Sequence, residues 1–482
     1  MNIENLKEQL ANVLSSNINL QGKIDQATQL LENAGVPQES INQAQEVIAN
    51  NGGIEQVLST IQNTGGGGEM LGGFATDMTI EQATGGFMDQ IGSFFGGEGG
   101  QDGEEVLNKI IINQNALTNN FNKFRRIIPR NKKIISVVKA NAYGHGLKEI
   151  VALIKNDTDY FQVDDIEELR ILRNISDKPT LVLGYVQKSD LEELVSLNGI
   201  LGLYSISQAQ ELNKTGQILN KLIKIHICID SHLGRDGILA SEIEKALIEL
   251  KGMQFIQVEG YYSHFANIED TTDRSHAEKQ ISTFDQVKVV IRSYFPHSYS
   301  HISATSGILE YEQISKSNSF VRLGIGLYGI WPSEELRKKH SDNLQLIPVL
   351  SLKSKLAQIK ILPKNHTVGY GLTFKTIKDM KVGVVPIGYS DGVDRNLSNT
   401  GEVLVRGQRC RIIGRISMNM LTIDLSKVTN VEVEDEVILI GKQQNEEITA
   451  EEIAHKIGTI NYEVLARLSP LLQKTLDFNI HE

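Results

Sequence analysis

The sequence predicts an α/β barrel (TIM-like) followed by a mostly β C-terminal domain, with a helical extension on a glycine-rich linker in front. Three observations carry this. From 104 to 346 short apolar runs alternate with charged stretches of helical spacing, and about eight such units predict a closed parallel barrel. From 347 to 482 the runs stand closer together, divided by turn signals, as in a β domain. Before 104, a stretch of helical spacing is followed by repeated glycine pairs and runs that read as a flexible linker.

In 1–62, Leu6, Leu10, Val13 and Leu14 fall on one helical face, and Gly35-Val36-Pro37 and Asn51-Gly52-Gly53 are breaks. A small helical extension is expected there. In 63–103, Gly65-Gly66-Gly67-Gly68, Gly72-Gly73, Gly85-Gly86, Gly96-Gly97 and Gly99-Gly100 each cost conformational entropy on ordering, so this stretch reads as a flexible linker. The barrel strands are expected at 132–139, 160–163, 180–183, 202–205, 222–230, 255–264, 299–304 and 321–328, with helices such as 166–173, 241–250 and 274–292 between them. Functional residues of such a barrel belong at the carboxyl ends of strands. In the β domain, runs are expected at 352–362, 382–387, 402–405, 410–416 and 437–440, with one helix at 450–457.

The chain has 482 residues, a length that suggests about two to four domains. Its net charge of -11 and pI near 5.6 argue against nucleic acid or an anionic membrane as the main partner. Its two cysteines, Cys228 and Cys410, lie in separate strand-like runs, so no disulfide framework is expected and a reducing compartment fits. No run reaches membrane-spanning length and the N-terminus lacks a secretion pattern, which suggests a cytoplasmic protein. No metal site is expected.

The most informative segment is Val137 to Gly146, VVKANAYGHG. It sets Lys139 at the end of a β-branched run, followed by a turn at Asn141 and Gly144. A lysine pointing from a strand end into a site loses water, which favours the neutral amine and suits Schiff-base chemistry. This segment resembles the pyridoxal-phosphate signature of the alanine racemase family, in which the lysine carries the cofactor as an internal aldimine. The resemblance runs from about Glu104 to the C-terminus through several separated motifs. It implies a racemase that interconverts L- and D-alanine through an external aldimine by a two-base mechanism, supplying D-alanine for peptidoglycan. It also implies a head-to-tail homodimer whose active site is shared between subunits.

Residue by residue, the resemblance assigns Lys139 and Tyr370, in Val368-Gly369-Tyr370-Gly371, as the two bases, with the tyrosine reaching in from the other subunit. Tyr143, Ser306, Gly324, Ile325 and Tyr462 would hold the cofactor phosphate through hydroxyls and backbone N–H groups. Arg322 would donate to the pyridine nitrogen without protonating it, since guanidinium keeps its proton at any working pH. That weakens the ring as an electron sink and favours reprotonation over transamination. His264 would lie by the cofactor and connect the tyrosine to the arginine. Arg235 and Met418 would bind the substrate carboxylate, the arginine through its N–H fork. Tyr389 and Tyr462 would narrow the approach so that only a small side chain passes.

Two positions depart from the family pattern. Cys228 stands where many members have a carbamylated lysine that orients the carboxylate-binding arginine, so Arg235 needs another anchor, Asp236 or a bound anion. Asn419 replaces an aspartate common near the approach. A serine or broad-specificity racemase is the alternative within the fold. A barrel-type basic amino acid decarboxylase lacks a match for its phosphate loop. The non-enzymatic alternative, a pyridoxal-phosphate carrier protein, has no β domain to account for the motifs at Tyr370, Tyr389, Met418 and Tyr462.

Overall fold

The structure is a computed structural model that describes residues 27–29, 31, 106–311 and 318–477. It divides into two compact units, Met1–Asp102 and Gly103–Glu482. Apart from helical residues 27–29 and 31, the expected extension and linker lie outside the described residues. Among the described residues, every strand belongs to the second unit.

The first strand is β1 (Lys109–Asn113), and then come β2 (Lys133–Val137), β3 (Tyr160–Val163), β4 (Thr180–Val182), β5 (Gly199–Leu203), β6 (Ile223–Asp230), the short β7 (Ile238–Leu239), β8 (Ile256–Tyr262), β9 (Tyr299–His301) and β10 (Phe320–Leu323). The ladder runs β10-β2-β3-β4-β5-β6-β8-β9, with every pair parallel and β7 added beside β6. Backbone bonds from Ser319 N to Ser300 O (2.8 Å) and from Arg322 N to Ser303 O (3.0 Å) join β9 to β10 and close the circle. The expected eight-stranded barrel is present.

Strands β3, β4 and β5 are buried at every residue, because side chains fill the barrel on one face and helices cover the other. The helices carry local start signals. Asp165 accepts from the Glu168 N–H at the head of Ile166–Arg173, and Ser205 accepts from the Gln208 N–H at the head of Ile206–Leu219. Glu167 and Glu168 open the first of these helices and Arg170 and Arg173 close it, which matches the helix dipole. The run expected to continue to Tyr328 stops as a strand at Leu323, since Gly324 turns the chain into a tight helical turn, Ile325–Tyr328.

The second domain adds β11 (Leu350–Lys355), β12 (Gln358–Leu362), β13 (Thr367–Val368), β14 (Phe374–Lys375), β15 (Met380–Val385), β16 (Glu402–Val405), β17 (Gln408–Arg411), β18 (Leu421–Asp424), β19 (Glu436–Gln443), β20 (Glu446–Ile448) and β21 (Gln473–Asp477). One sheet runs β17-β16-β19-β11-β1-β21 and a smaller one β12-β15-β18. The run expected at 352–362 is therefore two strands in two sheets. At Leu356 and Ala357 the backbone switches partners, bonding first to Asp435 and then to Val384.

Strand β1 pairs antiparallel with β11 and parallel with β21, so a segment preceding the barrel lies in the sheet of the domain that follows it. Lys109–Asn113 then leads directly into helix Gln114–Ile127, whose Phe121 and Phe124 are buried. One continuous strand and helix thereby tie the β domain to the barrel.

Candidate active site

A cavity opens at the carboxyl ends of the barrel strands. Lys139, Tyr143, Arg235, His264, Arg322, Gly324, Ile325 and Tyr462 all line it, although they are scattered from 139 to 462 in sequence. Ser306 stands beside it, hydrogen-bonded to the lining residue Glu269.

Lys139 follows β2 through Val138, whose N–H bonds to Gln162 O of β3. The next four residues, Ala140 to Tyr143, all take left-handed φ values of 52 to 53°. For residues with a Cβ this costs roughly 1–2 kcal/mol each. The turn holds because its surroundings fix it. Gly144 N bonds to Ala140 O, Gly146 N to Asn141 O, Glu168 Oε1 accepts from Asn141 N, and the Asn141 side chain accepts from Leu147 N. The result turns Tyr143 back over the cavity. Lys139 itself is half-exposed with Nζ 3.5 Å from Asp164 Oδ1. The dehydrated lysine expected from the sequence is thus a solvent-reachable ion pair within a single subunit.

Two glycines are required by close approach. At Gly144 (φ +80°) a Cβ would lie 2.0 Å from Leu465 O, so helix Asn461–Ala466 packs backbone to backbone and brings Tyr462 next to Tyr143, with ring centroids 6.2 Å apart. At Gly324 a Cβ would meet the Tyr143 hydroxyl at 3.0 Å. Thr305 Oγ1 accepts from the N–H groups of Gly324 (3.2 Å) and Gly326 (3.3 Å) and joins the loops after β9 and β10. Hydroxyls of Tyr143, Thr305, Ser306 and Tyr462 are thereby gathered around the Gly324-Ile325 backbone.

Arg322 is buried at the end of β10 and donates in four directions. Nη1 reaches His301 Nδ1 at 2.6 Å, while Nη2 reaches Ser263 O at 2.8 Å, Ile302 O at 3.0 Å and His264 Nδ1 at 3.1 Å. Because guanidinium only donates, these bonds fix the imidazole tautomers. His301 must carry its proton on Nε2 and pass it toward His226 Nδ1 (2.8 Å), and His226 Nε2 then faces Glu259 (3.3 Å). His264 likewise keeps its proton on Nε2. Burial, with Arg322, Arg235 and Lys139 nearby, lowers His264 to about 3, so its ring is neutral. Burial also lowers Arg322 to about 10, which leaves it charged at neutral pH.

Arg235 Nε donates to Asp236 Oδ1 at 2.6 Å, and Cys228 Sγ lies 3.7 Å from Asp236 Oδ2. Burial pushes the Cys228 thiol up to about 12, so the negative charge beside Arg235 belongs to Asp236. This occupies Nε and leaves the two terminal nitrogens of the guanidinium for another anion.

Tyr370, Tyr389 and Met418 do not line this cavity. They are 73%, 44% and 55% exposed on neighbouring loops of the β domain. Ser390 N bonds to Met418 O (3.0 Å), Asn419 Nδ2 to Ser390 Oγ (2.9 Å), and Asn399 bridges Thr373 to Gly414. Leu372 and Met420 are exposed on the same loops. The cavity also has walls that sequence reasoning did not single out: Gln162, Asp164, Leu183, Tyr262, Glu269 and Thr305. All but Glu269, which lies on the loop after β8, sit at or just beyond strand ends, the one signal that pointed to them.

The chain matches the models of the alanine racemase N-terminal domain over residues 112–332 and of the alanine racemase C-terminal domain over 349–476. Alanine racemase 2 of Caldanaerobacter subterraneus subsp. tengcongensis is 36% identical over 367 residues, which cover 75% of this chain and 92% of that protein. The alanine racemase of Leptospira interrogans is 35% identical over 370 residues, 75% of this chain and 93% of its own length. Among solved structures, the alanine racemase of Clostridium difficile 630 superposes with a TM-score of 0.73 at 31% identity, covering 78% of this chain and 97% of that one. That of Bartonella henselae with covalently bound pyridoxal phosphate gives 0.68 at 25% identity, over 77% and 100%.

Proposed function

The chain belongs to the alanine racemase family, and from that premise we propose that Lys139 of one subunit and Tyr370 of a second are the opposed bases of a pyridoxal-phosphate-dependent racemase acting on L- and D-alanine. The observation that carries this reading is the convergence of Lys139, Arg322, His264, Arg235, Tyr143 and Tyr462 on one cavity.

The residues present fit the cofactor. One end of the cavity gathers neutral donors suited to phosphate, and the other holds a charged arginine that can donate but not give up its proton. Gln162 Oε1, on the wall between, has no hydrogen-bond partner of its own. Bound there, pyridoxal 5'-phosphate would supply an aldehyde for Lys139 and a conjugated ring that takes up the electron pair left when the α-proton of alanine departs. Arg322, held by four acceptors, would offer a fixed positive charge to the ring nitrogen. The terminal nitrogens of Arg235 take the substrate carboxylate while Asp236 holds its Nε.

Racemisation needs a proton removed from one face and returned to the other, so two groups on opposite sides must exchange protons with the same carbon. Lys139 Nζ serves one face, and Asp164 steadies its ammonium. Tyr370 serves the other. A tyrosine 73% exposed beside Leu372, Met418 and Met420 presents an apolar surface for a partner subunit to cover, which supports a homodimer with shared sites. His264 Nε2–H is a donor available to the phenolate oxygen. Among the described residues, no helix is long and apolar enough to cross a membrane.

The reading is tested by borohydride reduction of the purified protein followed by peptide mapping. The expected result is loss of the near-visible absorbance and one pyridoxyl label, on Lys139. A label elsewhere, or none, defeats it.

A further inference from the structure

The cavity contains a carboxylate where an anion-binding site should hold only donors. Glu269 lies on the loop between β8 and helix Ser275–Tyr294 and lines the cavity at its phosphate end. Its Oε1 accepts from Ser306 Oγ at 2.8 Å. Tyr462 also hydrogen-bonds to it. These are two of the hydroxyls assigned to the phosphate. Burial raises the Glu269 carboxyl above its usual range, with Asp270 adding to the rise. A carboxylate and a phosphate dianion cannot both take these donors, because in a half-buried site their repulsion outweighs any remaining hydrogen bond.

Glu269 has somewhere to go. It also lines a neighbouring cavity whose walls hold Arg274 and Lys339 together with the carboxylates of Asp273, Glu310 and Glu335. Both cations pair with the buried Glu310, and the Glu269 carboxylate there would join the others that share their charge. The Glu269 backbone is tethered, since its carbonyl accepts from the Ser333 hydroxyl. Movement is therefore a rotation of the side chain from one cavity to the other, without the loop opening.

The geometry points to Glu269 as an internal stand-in for the cofactor phosphate: it holds Ser306 and Tyr462 in place before loading and turns into the Arg274–Lys339 cavity when pyridoxal phosphate binds. This rests on the assignment of the phosphate end of the cavity under the proposed function. Glu269 is a positioning residue and takes no part in proton transfer.

The test compares the full-length wild-type protein with E269Q and E269A, each freed of cofactor, in titrations with pyridoxal phosphate, pyridoxal and inorganic phosphate. Removing the negative charge should tighten pyridoxal phosphate and inorganic phosphate by about tenfold or more, a small part of the repulsion between close charges. Pyridoxal, which has no phosphate, should bind with unchanged affinity. E269A serves as the second variant, since it removes both charge and hydrogen bond and should show the same selectivity. Equal or weaker phosphate binding in both variants, or an equal gain for pyridoxal, overturns the stand-in. Failure of the wild-type protein to bind pyridoxal phosphate at all would instead remove the assignment beneath it.

Discussion

Replacing Gly144 by alanine tests whether the lysine motif positions the phosphate end of the cavity through backbone contact. Gly144 has φ +80°, where alanine costs roughly 1–2 kcal/mol. Its new Cβ would stand 2.0 Å from Leu465 O and 2.9 Å from Leu465 C, both backbone atoms that no rotamer change can move. Reaching an ordinary contact of 3.4 Å requires helix Asn461–Ala466 to back away by about 1.4 Å, and overpacking of this kind typically costs ~1–3 kcal/mol. Together these give roughly 2–5 kcal/mol, or about 4–10 °C in melting temperature for a large domain. Because Tyr462 rides on that helix, its hydroxyl leaves the phosphate end, and losing one charge-assisted hydrogen bond weakens the cofactor by roughly tenfold or more. Differential scanning calorimetry and absorbance titration with pyridoxal phosphate read the two effects. Gly252→Ala is the control, since its φ of -81° and nearest contact of 3.4 Å accept a methyl, and it should stay within about 0.5 kcal/mol of wild type. If Gly144→Ala melts with the wild type and binds the cofactor equally well, the backbone contact does not position Tyr462.

Asp236→Asn removes the charge at Arg235 Nε, and because the arginine of that pair is largely exposed it should raise the KM for alanine by only about fivefold with kcat nearly unchanged. Cys228→Ser should leave both constants alone, since the thiol is neutral; an unchanged KM in Asp236→Asn would remove Asp236 as the anchor. Mixing inactive Lys139→Ala and Tyr370→Phe proteins should restore about a quarter of wild-type turnover, because half the dimers are hybrids and each hybrid has one intact site. No recovery on mixing, with subunit exchange shown by a tag, would place both bases in one subunit. His145 and His301 are fully buried, and burial lowers the first to about 4 and the second well below its ordinary 6.5. The unfolded chain takes up these protons first, so their contribution to stability is complete above about pH 6.5 and is lost as pH falls toward the folded values, by up to ~1.4 kcal/mol per pH unit for each. Urea unfolding at pH 5, 6 and 7 should show this rise with pH, and a flat profile would mean that the two rings are protonated in the folded protein.

The parts of the site legible in the sequence are those where local chemistry and position coincide. Lys139 follows a β-branched run, Arg322 sits in Val-Arg-Leu-Gly at the end of another, and strand–helix alternation sets both at the same end of a parallel barrel. Other parts have no local signature. Nothing in Lys-Ala-Asn-Ala-Tyr foretells four residues in the left-handed region, because alanine has no preference for it. Glu168 and the helix carrying Leu465 hold it from outside, both remote in sequence, while the Asn141 side chain ties the turn to Leu147 from within. Strand β1 hides for a different reason. Lys-Ile-Ile-Ile-Asn reads like any barrel strand, yet it pairs with β11 and β21, a choice made by sheet edges some 240 and 364 residues away, as in the pairings Lys109–Lys353 and Lys109–Gln473. Asp164, Gln162 and Glu269 were missed because each is an ordinary polar residue until the barrel closes. Closure is also what gives them meaning, for a carboxylate on a surface loop is unremarkable, whereas one that takes the Ser306 hydroxyl inside an anion site competes with the ligand. Sequence motifs thus marked the groups that do chemistry, and the fold revealed the charges that govern access to them.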